Sequence, residues 1–216
     1  SKVVLAKGEL RLRLRKLDQG TRQLLRSRTP LELDAALLRS LRDEHQSLGS
    51  MGLGAEPQAN LAECGARLSA LEGLRHLSLN EVEPARKRLE AVDPSTTPVA
   101  AAALRGALES LDAQTHADAA KSIADLTQAY DGGVARIEVR AWRAKAVLAA
   151  ATLDRDLAED GLKAMADLDR GGARLRGVLR LAEIRLCLAL DRLGRATTAL
   201  ERLKAPPQGL EDRVRL

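Results

Sequence analysis

The side chains of this chain that could do chemistry are three histidines, two cysteines and a scatter of adjacent acids, and their spacing suits none of the usual reactions. His45, His76 and His116 stand far apart, with no His-x-x-x-His pair and no cysteine beside them, so they are expected as surface or cap residues and not as zinc ligands or general bases. Cys64 and Cys187 lie 123 positions apart among apolar residues. Two buried thiols are expected there, with a single disulfide as the alternative. Glu81/Glu83, Asp154/Asp156 and Glu159/Asp160 fall at expected helix starts, where a carboxylate favours the positive end of the helix dipole without any acid–base role. Asp131-Gly132-Gly133 and Gly171-Gly172 lack the Lys-Ser/Thr of a phosphate-cradling loop, and there is no Gly-x-Ser-x-Gly. The expectation is a protein that is not an enzyme and needs no cofactor or metal.

Arginine is the chemistry that remains, in two sets. Residues 1–28 carry nine basic side chains against Glu9 and Asp18, a net +7, while the rest of the chain holds 26 basic and 28 acidic residues. Arg11, Arg15, Arg22 and Arg26 lie on related turns. Either they form a solvated face that pairs with neighbouring acids, or they meet an acidic partner, a membrane surface or phosphates. The second set is Arg136, Arg140, Arg143, Arg174, Arg176, Arg180 and Arg185. If their helices line a groove, these side chains would clamp carboxylates of an extended peptide; if not, they only keep the helices soluble.

The elements that must carry these residues are helices. There is no Phe, one Trp (Trp142) and one Tyr (Tyr130), and the bulk is Leu, Ala and Arg, the strongest helix formers, so an all-α fold is expected. Leu10, Leu14, Leu17, Thr21 and Leu24 step by four and three, a heptad seam within a first helix over 2–27, and Leu5, Leu12 and Leu25 broaden it. Thr29-Pro30-Leu31-Glu32 reads as a capping box that opens a second helix reaching about Gln46, with Leu33, Leu37, Leu38 and Leu41 inward. The two form an N-terminal basic hairpin over 1–47. Residues 48–57, rich in glycine, are the expected linker.

Beyond the linker, helices are expected in pairs: 58–75 and 80–92, 98–112 and 116–130, 134–152 and 155–169, 173–193 and 195–204. Capping signals sit at Ser78–Glu81 and at Thr115 with Asp118; Asp93-Pro94 and the two Gly-Gly turns are stops, and Thr97-Pro98 is a start. Pro206-Pro207 opens a short tail over 206–216. An alanine followed by apolar residues four and seven positions on recurs as Ala85/Leu89/Val92, Ala119/Ile123/Leu126, Ala158/Leu162/Met165 and Ala196/Leu200/Leu203, at intervals of 34, 39 and 38 residues. A helical unit repeating at that interval buries its apolar face only by stacking on its neighbours.

Over roughly 58–205 this pattern resembles the tetratricopeptide repeat family. Leu193-Gly194-Arg195 with Ala199, Leu200 and Leu203 is similar to that family's turn and second-helix signature, and Leu186 and Leu190 sit where its first helix packs. Trp142, Ala146, Ala158 and Leu162 match its aromatic, small, small and large positions, in a register three residues away; the family's tyrosines and phenylalanine are replaced by Leu, Ala or Ile. The resemblance implies antiparallel helix pairs stacked into a right-handed superhelix, an α-solenoid, whose first helices line a concave face. The expected function is a scaffold that holds a peptide or helix of another protein. The alternatives are nucleic-acid binding through the basic first helix and homodimerisation through its leucine seam. Scarce aromatic side chains weigh against single-stranded nucleic acid. No apolar run is long enough to span a membrane. Cysteine usage leans to a reducing compartment, with the cytoplasm expected, and a first residue Ser1 in place of Met is what a processed chain would show.

Overall fold

The computed structural model describes residues 2–151, 159, 161–163, 166 and 177–203. Among the described residues the regular structure is helical, with no strand, as the composition requires. The helices are α1 (Lys2–Arg26), α2 (Ala35–Gly49), α3 (Ala55–Ser78), α4 (Val82–Glu90), α5 (Pro98–Asp112), α6 (His116–Asp131), α7 (Ile137–Ala151), α8 (Gly177–Ala189) and α9 (Leu193–Glu201). Residues 159, 161–163 and 166 are also helical. The rest of the helix expected over 155–169, the Gly171-Gly172 stop and the tail lie outside the described residues.

Helix ends follow local chemistry, not always the expected one. Gly133 (φ +94°) ends α6 as its sequence promises, with Val134 N–H donating to the Ala129 carbonyl at 3.0 Å. Asn80 (φ +63°) ends α3 by the same device: Glu81 N–H reaches the His76 carbonyl at 2.8 Å. Asp191 (φ +55°) ends α8, with Arg192 N–H on the Cys187 carbonyl at 2.8 Å. Asn and Asp tolerate the left-handed region where most side chains do not. The box expected at Ser78–Glu81 is therefore not formed; Ser78 Oγ instead donates back to the Arg75 carbonyl at 2.9 Å. The box at Thr115 is formed, with Asp118 N–H on Thr115 Oγ1 and Thr115 N–H on Asp118 Oδ2, both at 3.2 Å.

The start of the second helix also differs from expectation. Residues 31–34 form a turn whose Leu33 N–H donates to the Pro30 carbonyl at 3.0 Å, and α2 begins only at Ala35. Thr29 Oγ1 donates to Asp34 Oδ2 at 2.7 Å, so its hydroxyl caps no helix. This shift of entry turns Leu33 and Leu37 outward, 75% and 42% exposed, whereas Leu38 is buried. The connection from α2 to α3 spans only residues 50–54, shorter than the expected linker.

The described chain divides into two compact units. The first comprises residues 1–105 and 128–138, the second 106–127 and 139–216, so α1 and α2 share a unit with α3 and α4. In the first unit α3 packs on α1, α2 and α4. Leu14, Leu17, Thr21 and Leu24 of the heptad seam are buried there, while Leu12, expected to widen the seam, is 53% exposed. Close approach is set by small residues: a Cβ on Gly73 would stand 2.5 Å from Leu104 Cδ2, and Ala100–Ala103 leave no side-chain bulk between α5 and its neighbours.

In the second unit, Leu162, Ile184, Leu186, Cys187, Ala196, Ala199 and Leu200 form one buried cluster that joins α8 to α9. At Gly106 an added Cβ would lie 3.1 Å from the backbone nitrogen of Leu126, and the Gly106 carbonyl accepts Ser122 Oγ at 2.7 Å. The spaced alanines Ala85, Ala119 and Ala196 are all buried, as are Val92, Leu126 and Leu200.

Candidate functional site

An ideal helix turns 100° per residue, so Arg11, Arg15, Arg22 and Arg26 fall within about 60° of one another on α1, along about 22 Å of axis. All four are exposed. The same periodicity puts Leu14, Leu17, Thr21 and Leu24 on the opposite, buried side, so one sequence of alternating leucines and arginines builds both faces. Arg22 is partly neutralised by Asp18, its Nε donating to Oδ1 at 2.9 Å, and Glu63 stands 3.7 Å away. Arg11, Arg15 and Arg26 make no ion pair among the described residues. Arg13, nearly opposite the stripe on the helix, is different: its Nε and Nη2 grip both oxygens of Glu44 at 2.7 and 3.0 Å and hold that carboxyl below the usual carboxylate range.

Arg67 supports this helix from beneath and was not singled out by the sequence. Buried on α3, it donates through Nη1 to Asp18 Oδ1 at 2.6 Å and to Thr21 Oγ1 at 3.3 Å, and it pairs with Glu63. Burial pushes the Asp18 carboxyl up, but hydrogen bonds from Arg67 and Arg22 outweigh it and leave the group below its ordinary value. The available signal was Thr21, a polar residue in a leucine seam three residues after Asp18: such a group needs a buried partner.

The described members of the second arginine set range from fully enclosed to exposed. Arg136 was expected in an open groove; its side chain is fully enclosed and its donors are consumed within the first unit. Nη1 donates to the Leu24 carbonyl at 2.7 Å and to Asp34 Oδ2 at 3.0 Å, Nε donates to Glu138 Oε2 at 3.2 Å, and Nη2 donates to the Thr29 carbonyl. Glu138 Oε1 in turn accepts Leu31 N–H. The guanidinium thus caps the C-terminal end of α1 and ties it to the turn before α2. Burial raises the Asp34 carboxyl, yet hydrogen bonds from Thr29 and Arg136 bring it below the usual range.

Arg180 is also buried, donating to Glu183 Oε2 at 2.6 Å, and Arg195 reaches Glu183 Oε1 at 3.2 Å. Arg140 and Arg143 are half-buried, with Arg143 Nε on Thr127 Oγ1 at 3.0 Å. Arg185 is exposed, and Arg174 and Arg176 lie outside the described residues. Enclosure in ion pairs, and not solvation, accounts for Arg136 and Arg180, because both sit beside acids that the local helix packing desolvates.

His45 Nε2 donates to the Leu61 carbonyl at 3.1 Å, and His76 Nδ1 sits 2.6 Å from Glu81 Oε2. Cys64 and Cys187 are free and buried, with burial pushing the Cys187 thiol up to about 11. Trp142 is a buried anchor with Lys145 Nζ 3.9 Å from its ring centre. Among the described residues, no three His, Cys, Asp or Glu side chains converge, and no helix is long and apolar enough to cross a membrane. No protein-family model matches the chain, and no curated protein or solved structure matches it either.

Proposed function

We propose that this chain is a non-enzymatic protein-binding module whose contact surface is the arginine stripe of α1, and that its partner is an acidic helix of another protein. The observation that carries this is the exposure of Arg11, Arg15, Arg22 and Arg26 on one face while the leucine seam behind them is buried. A stripe held on a rigid helix loses little entropy on binding, and i, i+4 arginines match i, i+4 carboxylates on a facing helix. A homodimer through the leucine seam is a weaker reading, because that dimer would have to displace α2 and α3 from it.

The helix pairs belong to the same proposal as degenerate tetratricopeptide-like repeats forming a superhelix. Support comes from the starts of α4 and α6, 34 residues apart at Val82 and His116, from the short turns within α3/α4, α5/α6 and α8/α9, and from the burial of the spaced alanines. In this reading the repeats hold α1 in place and the partner is recognised outside them.

Fluorescence anisotropy with a labelled 20-residue peptide carrying glutamates at i, i+4 tests the proposal directly. Wild-type chain binds the peptide, and R11E/R15E/R26E weakens it at least tenfold with unchanged circular dichroism. Equal binding by the triple variant overturns the proposal, as does tighter binding of a 20-base-pair DNA duplex than of the peptide.

A further inference from the structure

A trough of about 260 Å³ runs along the first unit between α2, α3 and α4, on residues other than the α1 stripe. Four guanidiniums line it, those of Arg39 and Arg42 on α2, Arg75 on α3 and Arg88 on α4. Two carboxylates face them, Asp43 and Glu72. Glu72 is shared: Arg42 grips both its oxygens, Nε on Oε1 at 2.7 Å and Nη2 on Oε2 at 2.5 Å, and Arg88 Nε stands 3.0 Å from Oε2. One carboxylate therefore holds two guanidiniums in place and neutralises only one of them. His76 also lines the trough, with Nδ1 already engaged by Glu81.

Arg39 and Arg75 make no ion pair and no side-chain hydrogen bond among the described residues. Arg75 Nε is shielded from solvent with no acceptor at all. Native proteins leave few such donors unmatched, and each one asks for an ion or water that completes it. The trough carries a surplus of two positive charges, and a phosphate monoester near neutral pH carries close to two negative ones with three acceptor oxygens. A single carboxylate would balance only half of that surplus. Planar guanidinium forks are the donors best matched to phosphate oxygens.

We propose that this trough is a binding site for a phosphate monoester, held by Arg39, Arg75 and Arg88, with Arg42 and Glu72 as the pair that positions Arg88. The site is independent of the α1 stripe, and its partner is defined by the phosphate group, whether carried by a small molecule or by a phosphorylated side chain.

Isothermal titration calorimetry on the full chain tests it, with inorganic phosphate, a phosphoserine peptide, the same peptide unphosphorylated, and sodium chloride at matched ionic strength. Binding of either phosphate probe, with at least tenfold loss in Arg39→Gln and in Arg75→Gln and none in Arg15→Gln, is the expected result. Inorganic phosphate binding as tightly as the phosphopeptide points to a small ligand; tighter phosphopeptide binding points to a modified protein. Phosphate heats no different from chloride overturn the proposal, as does unchanged affinity in Arg39→Gln, whose exposed position leaves folding intact even if Arg75→Gln does not fold. Because the R11E/R15E/R26E variant leaves the trough untouched, loss of acidic-helix binding there and loss of phosphate binding here are separable results.

Discussion

Arg136 shows how much one side chain decides at the residue scale. Its guanidinium serves two carbonyls and two carboxylates, of which the Leu24 carbonyl and Glu138 belong to buried residues with no solvent at hand to replace it. Removing one member of a buried ion network typically costs about 3 kcal/mol or more, because the partners are left charged and desolvated. Arg136→Met is therefore expected to lower the unfolding free energy by roughly that amount in urea titration, and Arg136→Lys to rescue little, since one ammonium does not reproduce the planar fork. A wild-type urea midpoint for Arg136→Met would rule the latch out. His45 supplies a pH prediction. Burial pushes its imidazole below the ordinary value, against the upward pull of its hydrogen bond to Leu61. The unfolded state then binds the proton more readily, so stability is complete above the unfolded value of about 6.5 and declines as pH falls through it, levelling off below the folded value. Thermal melts from pH 8 to pH 5 should show that decline, and His45→Gln should flatten it.

Elements are positioned by small residues where helices touch. Gly106 lets α5 approach the backbone of α6, and the Ser122 hydroxyl uses that proximity to reach its carbonyl. Gly106→Ala would normally favour a helix, yet here the new methyl meets backbone that has no room to move. The expected balance is a loss of about 1–3 kcal/mol, as for other overpacked sites. Gly8, also helical but with nothing within 4 Å of an added Cβ, is the matched control, and Gly8→Ala should be neutral or stabilising. Equal melting temperatures for both variants would show that the approach at Gly106 is not tight. Helix boundaries were legible where a turn depends on its own few residues, as at Gly133 and Thr115. They were illegible at Thr29–Asp34, where Leu31 N–H and the Thr29 carbonyl are satisfied by Glu138 and Arg136 from more than 100 positions away.

At the scale of the whole molecule, charge is the organising quantity. The net +5 of the chain is concentrated in the first 28 residues, and the exposed arginines of α1 stand on one side of that helix. Binding through such a surface weakens with salt, because the Debye length falls from about 10 Å at 0.1 M to about 3 Å at 1 M. Affinity for the acidic peptide should drop steeply over that range, and the R11E/R15E/R26E variant should lose most of the slope; a salt-independent affinity would place the contact on apolar surface instead.

Composition and period alone settled that the chain is helical, because Leu, Ala and Arg at heptad and 3.6-residue spacing have no other way to bury an apolar face. They also placed the arginines of α1 outside the seam, a consequence of helix geometry that needs no tertiary contact. Which arginines are available to a partner was decided only by packing. Arg136 and Arg180 carry the same local signature as Arg11 and Arg15, yet they are buried because acids brought from other turns and other helices surround them. The trough of Arg39, Arg75 and Arg88 was equally invisible, since its members come from three helices and share no spacing along the chain. Local sequence dictates the face of a helix, and only the folded chain dictates what that face meets.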